Sequence, residues 1–251
     1  MKKLFMSIAF VAITVFGIQA QSVDEILNSY YEAVGMEKQL THNSMKITGK
    51  SIQMGMETPF TMVQKRPDSF RLEVDMQGGA TMIQAFDGKT AWMVAPWTGS
   101  TDPVELSGTR LDAMKMQADF DGMLYDYADK GYTLELMGTD DMEGTEVYKL
   151  KFTNENGNVF YQFIDTENHI LLKTTSIMKQ GDAEIESETY FGNYKDMDGI
   201  IVPFSVESKM NGETKSQVIV ETVEYDMDVD DSIFHMPETE KKEEPATGEK
   251  K

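Results

Sequence analysis

The sequence contains no cysteine. That excludes disulfides, thiolate nucleophiles and cysteine metal ligands together, so an exported form of the chain must rest on a sizeable core. Histidine is nearly absent too. His42, His169 and His235 lie far apart, each near a predicted turn or terminus, and an exposed histidine is the expected reading of each. HExxH, GxSxG and glycine-rich phosphate loops are missing, and a serine triad needs a histidine oriented by an acid, which nothing here supplies. Asp226, Asp228, Asp230 and Asp231 suggest a calcium loop. An EF-hand, however, requires Gly and Glu at its sixth and twelfth positions, where this chain has Asp231 and Pro237. Glycosidase-type acid pairs are defined by spacing across a cleft, which sequence does not show. The expectation is therefore no enzyme, no cofactor and no metal site.

Cations are scarce. Of 251 residues 23 are Lys or Arg against 43 Asp or Glu, a formal charge of −20. Nucleic acid is an unsuitable partner for such a chain, since its binding depends on Lys and Arg neutralising phosphates. An anionic lipid surface is equally unsuitable as a resting place. Long apolar runs are also lacking. The longest, Leu4–Phe16, falls well short of the ~20 residues of a spanning helix. It follows the basic Met1-Lys2-Lys3 and precedes Ile18-Gln19-Ala20, the pattern of a secretory signal peptide cleaved after Ala20. No cysteine follows it to carry a lipid anchor. Residues 1–20 are thus read as a signal peptide, 21–237 as one β domain, and 238–251 as a charged, disordered tail without apolar periodicity. The mature protein is expected to be periplasmic, soluble and monomeric.

Strand signals dominate what remains. Phe70, Leu72, Val74 and Met76 alternate with Arg71, Glu73 and Asp75, the period-2 mark of a half-buried strand. Asp87-Gly88 joins Thr81–Phe86 to Lys89–Val94, a strong hairpin signal because both turn residues tolerate positive φ. Pairing about that turn sets Thr81, Ile83 and Ala85 beside Thr90, Trp92 and Val94, with Met82, Gln84 and Phe86 on the other face. Both faces are largely apolar, so the hairpin should be covered on both sides. Further strands are expected at Met45–Met54 and Pro59–Gln64. A meander punctuated by Asn156-Gly157, Asp198-Gly199 and Asn211-Gly212 should then run from Tyr132 to Tyr225, with Pro203 marking an edge or bulge. Two helical segments interrupt the strands. Ser22 and Glu25 form a capping box before the stripe Val23, Ile26, Leu27, Tyr30 and Val34, with Gly35 as the stop. Leu111, Met114 and Ala118 mark one or two short helices between about Thr109 and Tyr127.

Lys65-Arg66-Pro67-Asp68-Ser69-Phe70, followed by Asp87-Gly88-Lys89-Thr90, Trp92 and Pro96, resembles the LolA/LolB class of periplasmic lipoprotein-localisation factors. The resemblance implies an incomplete, unclosed and strongly curved antiparallel β-barrel of about 10–11 strands, with helices covering its open side. It implies a hydrophobic cavity between sheet and helical lid, and carriage of acyl chains of lipid-modified proteins or other lipids to the outer membrane. An inner-membrane transporter and an outer-membrane acceptor would be the partners. In that family the arginine of the KRP motif hydrogen-bonds the lid at the cavity mouth, a position Arg66 matches. Arginine suits such a latch because its planar donors bridge several acceptors at once.

Methionine is unusually frequent, 20 in all and 18 beyond the leader, which removes Met1 and Met6. Many fall on predicted strands and on the second helix: Met45, Met54, Met56, Met62, Met76, Met82, Met93, Met114 and Met116. An unbranched, polarizable side chain suits an apolar surface that must accept varied shapes, and it suits an ordinary core as well. The expected ligand-binding residues are Arg66, Met62, Leu72, Val74, Met76, Met82, Trp92, Leu111 and Met114. Two other readings stand beside the carrier. One is a periplasmic scaffold that keeps the fold with a filled core and binds another protein. The other is an enzyme with acids converging in a cleft.

Overall fold

The computed structural model describes residues 21–76, 78–180 and 183–238. The signal-peptide segment 1–20 and residues 239–251 of the charged tail lie outside them.

Two helices open the described chain, α1 (Val23–Val34) and α2 (Met36–Gln39). Ser22 caps α1 as its sequence suggests. Its side chain accepts from the Glu25 N–H, and the Glu25 carboxylate accepts from the Ser22 N–H at 2.8 Å. Gly35 ends α1 at φ 72°, and a Cβ there would stand 2.0 Å from the Gly199 carbonyl oxygen. Glycine is needed twice over, for the left-handed backbone and for the close approach of a strand turn.

Six strands follow: β1 (Ser44–Gln53), β2 (Met56–Lys65), β3 (Ser69–Asp75), β4 (Thr81–Asp87), β5 (Ala91–Val94) and β6 (Val104–Leu106). After α3 (Thr109–Ala118) and a turn-rich stretch come seven more: β7 (Tyr132–Met142), β8 (Thr145–Asn154), β9 (Val159–Asp165), β10 (Leu171–Gln180), β11 (Ala183–Asp196), β12 (Ile201–Met210) and β13 (Glu213–Tyr225).

All thirteen strands form one antiparallel sheet in the order β6-β5-β4-β3-β2-β1-β13-β12-β11-β10-β9-β8-β7. Two meanders are thus stitched together where β1 meets β13. The sheet curls but stays unclosed, with β6 and β7 as its edges, and α3 with residues 119–131 crosses between those edges. The expected architecture is present with more strands than the expected 10–11. β6 is one source of the difference: three residues are too few to show a period, and they pair only because Ala91–Met93 lies beside them. The second helix is shorter than its pattern suggested. It stops at Ala118, and Gly122 at φ 75° sits in the turns beyond.

The Asp87-Gly88 hairpin keeps its predicted faces but not its predicted register. Ile83 pairs with Val94 and Ala85 with Trp92, two residues along from the simple pairing about Asp87-Gly88. The loop is instead Gly88-Lys89. The Asp87 carboxylate accepts from the backbone N–H groups of Lys89 and Thr90 at 2.9 and 2.7 Å, which makes Asp87 the last strand residue. Pro203 lies inside β12 at a stretch paired only with β11, since pairing to β13 begins at Ser205. That is the one-sided position a residue without N–H requires.

The core is divided. Ile26 and Leu27 of α1 pack on Leu150, Phe152, Phe160 and Ile164 of β8 and β9, joined by Leu124. Met114 and Ala118 of α3 pack on Phe70, Phe86, Ala91 and Leu106. Each long helix therefore covers a different half of the concave face, and the strip between them is left to form a cavity.

Candidate functional site

The cavity grows out of cross-strand register. Residues of alternate parity on neighbouring strands share a face, and antiparallel pairing lines them into rows. Ile47, Met62 and Leu72 are successive partners across β1, β2 and β3, and Phe60, Val74 and Met82 across β2, β3 and β4. Beyond β1 the rows continue to Val218 and Val220 of β13 and to Val206 of β12. The result is a largely apolar wall, interrupted by Ser51, Gln53, Thr58 and Gln64, around a cavity of about 860 Å³. That is near the top of the ~300–1,000 Å³ range of small-molecule sites. The roof comes from Tyr30 and Val34 of α1, Met36 and Gln39 of α2, and residues 117 and 119–122.

Gly49 makes room for the wall. A Cβ there would lie 2.2 Å from the Ile219 carbonyl oxygen and 2.8 Å from the Phe60 ring. The β1–β13 register shifts between Thr48 and Gly49, so the bulge and the close ring approach coincide. At one end the cavity meets solvent through Met56 and Trp97, which are exposed wall residues, with the fully exposed Met54 at the tip of the neighbouring turn.

The roof is tied to the sheet by one residue above all. Arg66, just past β2, donates from Nη1 and Nη2 to the two carboxylate oxygens of Asp121 at 2.6 and 2.7 Å. Its Nε donates to the His42 carbonyl at 2.8 Å, Nη2 also reaches the Gln39 carbonyl at 3.3 Å, and the guanidinium lies 4.5 Å from the centre of the Phe120 ring. The bond to Asp121 pushes the Arg66 guanidinium further up from its already high ordinary pKa, so it stays charged. Two glutamines reinforce the tie. Gln64 Nε2 donates to the Gln117 carbonyl at 2.6 Å and Gln39 Nε2 to the Phe120 carbonyl at 3.0 Å. Tyr31 Oη donates to the Leu124 carbonyl at 2.6 Å, and burial pushes its hydroxyl up to about 12. Residues 117–124 are thus held at three backbone carbonyls, those of Gln117, Phe120 and Leu124, and at one side chain, the Asp121 carboxylate.

Of the residues singled out from sequence, Met62, Leu72, Val74, Met76 and Met82 stand in the cavity wall, as do Met45 and Met56. Arg66 is at the roof seam rather than in the wall. Three others lie elsewhere. Trp92 is on the opposite face of the sheet, buried against Ala85 and Val94, with its indole N–H donating to the Phe234 carbonyl at 2.8 Å. The C-terminal segment covers that face, which is why the hairpin is apolar on both sides. Leu111 and Met114 anchor α3 on Phe70 and Phe86 instead of lining the cavity. Phe60, Phe191, Tyr194 and Asp121 carry wall or seam and were not singled out. The wall residues had alternation as a signal, whereas Asp121 sits in an acidic stretch where no spacing marks it.

His42 and His169 are partly shielded rather than exposed. His42 stacks on Tyr225 at 4.5 Å and pairs with Asp226 at 2.7 Å. The C-terminal aspartates have structural partners: Asp226 holds His42 and the Asn43 N–H, Asp230 caps a 3-10 turn, and Asp231 pairs with Lys65. Among the described residues no three His, Asp or Glu side chains come together as a metal site, and no helix is long and apolar enough to cross a membrane.

The unclosed sheet wrapped around a cavity under a helical cover is a LolA-like fold. A LolA superfamily protein from Nitrosomonas europaea is 14% identical with a TM-score of 0.60, covering 86% of this chain and 98% of its own. A DUF1329 family protein from Desulfovibrio piger is 15% identical with a TM-score of 0.60, covering 84% and 97% respectively. Residues 70–240 match the model of a family described as "Uncharacterized protein", and the chain belongs to that family. No curated protein matches the sequence.

Proposed function

We propose that the protein is an extracytoplasmic carrier that encloses the acyl chains of a lipid or lipid-modified protein and releases them to an acceptor on the way to the outer membrane. The observation that carries this reading is the 860 Å³ apolar cavity beneath a roof seamed by Arg66. Likeness of fold to a LolA superfamily protein supports it, as does the leader pattern Met1–Ala20, which points to export.

Energetics shape the mechanism. Burying methylene groups contributes about 0.8 kcal/mol each, so a chain of ~14 would bring roughly 11 kcal/mol. A carrier that gained all of that would not let go. Ligand entry that displaces residues 117–124 breaks the Arg66 and Gln64 bonds to the roof, and their loss offsets part of the gain. Release to a deeper acceptor then needs no nucleotide. An inner-membrane donor and an outer-membrane acceptor are the partners such a cycle requires.

Native mass spectrometry of protein purified from its own envelope fraction, followed by lipid extraction, tests the reading. Bound lipid or acylated protein at defined stoichiometry is the expected result. Protein that arrives empty and stays empty when offered lipids would overturn it in favour of a scaffold.

A further inference from the structure

The concave face is not apolar throughout. Phe191 of β11, Val206 of β12 and Val218 of β13 are successive cross-strand partners in the cavity wall. Two residues further along the same strands and on the same face stand Thr189, Ser208 and Ser216, again successive partners. Thr189 pairs in turn with Thr174 of β10, and Thr174 with Gln162 of β9. Five adjacent strands thus carry one unbroken row of neutral hydrogen-bonding side chains, whose members on β11, β12 and β13 border the apolar wall. At ~4.8 Å per strand it extends roughly 19 Å.

The row differs from both surfaces it could be confused with. A face that served only as core would be apolar, as it is at Phe160 and Ile164 on either side of Gln162. A face that served only to meet water would be charged. The reverse side of these same strands is charged, with Lys173 paired to Glu188 and Lys209 to Glu207. The inner row has no ionisable group. Its innermost member, Gln162, is only 4% exposed, and its side-chain amide oxygen Oε1 is buried without a hydrogen-bond partner. A buried acceptor left unpaired is a standing penalty that a donor on a bound molecule relieves.

We propose that this row is a headgroup subsite. It fits an amphiphile with an uncharged, oxygen-rich head, of the acylglycerol type, whose chain runs along Phe191, Val206 and Val218 while head hydroxyls and ester oxygens meet the row. The inference rests on the carrier reading and adds the polarity of the ligand and its orientation. An anionic head gains little here, since the row offers no cation.

Displacement of the apolar fluorophore 1-N-phenylnaphthylamine separates the two ideas. Wild-type protein should bind the fluorophore and release it to 1-monopalmitoylglycerol about tenfold more readily than to palmitate, as two net hydrogen bonds would give. The combined Thr174→Val, Thr189→Val and Ser208→Ala variant should bind the fluorophore as before and lose most of that ratio. Its substitutions suit a strand, so fluorophore uptake reports an intact cavity. Thr189→Ser, which keeps the hydroxyl, should keep the ratio. A triple variant with the wild-type ratio overturns the subsite and leaves the carrier standing. Wild-type protein that takes up neither fluorophore nor lipid overturns both.

Discussion

Arg66 grips Asp121 through two parallel N–H···O bonds of 2.6 and 2.7 Å, joining the end of β2 to the segment that roofs the cavity. The two residues are 55 positions apart, and each keeps little solvent, 25% and 13% of its side chain. Bidentate geometry makes the pair directional as well as strong.

Replacing Arg66 by Leu should therefore loosen the roof before it unfolds the sheet. The expected cost is about 2 kcal/mol, less than the ~3–5 kcal/mol of a fully buried pair because part of Arg66 remains wet. Amide exchange should accelerate in residues 36–42 and 117–124 while β8 and β9 stay protected. Ligand should be held more tightly, since opening no longer breaks the seam. Unchanged exchange in 117–124 would mean that Gln39, Gln64 and Tyr31 hold the roof without Arg66.

The two tryptophans should report different things. Trp97 is 62% exposed and belongs to the cavity wall, whereas Trp92 is 1% exposed on the far face. Loading the cavity should shift or quench emission in wild-type protein and in Trp92→Phe, and leave Trp97→Phe unaffected. Trp92→Phe should also lower stability by about 1–3 kcal/mol, because the Phe234 carbonyl loses its donor in a buried place. A ligand response that vanishes with Trp92 instead would put the binding face on the wrong side of the sheet.

Gly49→Ala should destabilise the protein by about 1–3 kcal/mol, the usual cost of forcing atoms into a packed region. The added methyl meets the Ile219 carbonyl oxygen at 2.2 Å, and β1 is paired on both sides, which leaves the backbone little freedom to retreat. Thermal denaturation checks this directly. A neutral effect would show that the bulge at Thr48 and Gly49 absorbs the extra group.

Asp226 predicts a pH dependence. The Asn43 N–H and the His42 ring hold its carboxyl below the usual carboxylate range. A lowered folded-state pKa contributes stability that is present above the unfolded value of ~3.9 and is lost as pH falls through the folded value. Asp226→Asn should lower the melting temperature near neutral pH, and the gap from wild type should close below pH ~3.9. Asparagine tolerates the positive φ of 53° at this position, so the remaining difference is the charge and one of the two acceptor oxygens that meet His42 and the Asn43 N–H. A gap that stayed constant down to the lowest pH would assign the effect to shape instead.

The strands were legible because their signals are local. Phe70, Leu72, Val74 and Met76 announce their shared face by alternation, and Ser22, Glu25 and Gly35 mark the ends of α1. Arg66 was legible through its motif. The hairpin register was missed by two residues because the Asp87 side chain, not the Asp-Gly pair alone, sets where the ladder ends. Trp92 and Met114 were assigned to the cavity because an apolar residue looks the same whether it faces a void, a helix or the returning C-terminus.

Sequence by itself determined the inventory: a cysteine-free, acidic, methionine-rich chain of short strands with one capped helix, and a KRP motif ahead of Phe70. Each of these depends on neighbours within a few residues. Tertiary structure decided the rest: that β1 meets β13, that the helices cover different halves of the sheet, and that Asp121 is the partner of Arg66. It also decided that five strands bring Gln162, Thr174, Thr189, Ser208 and Ser216 into one row. Those relationships join residues tens of positions apart, and only the curl of the sheet sets which of them face the same space.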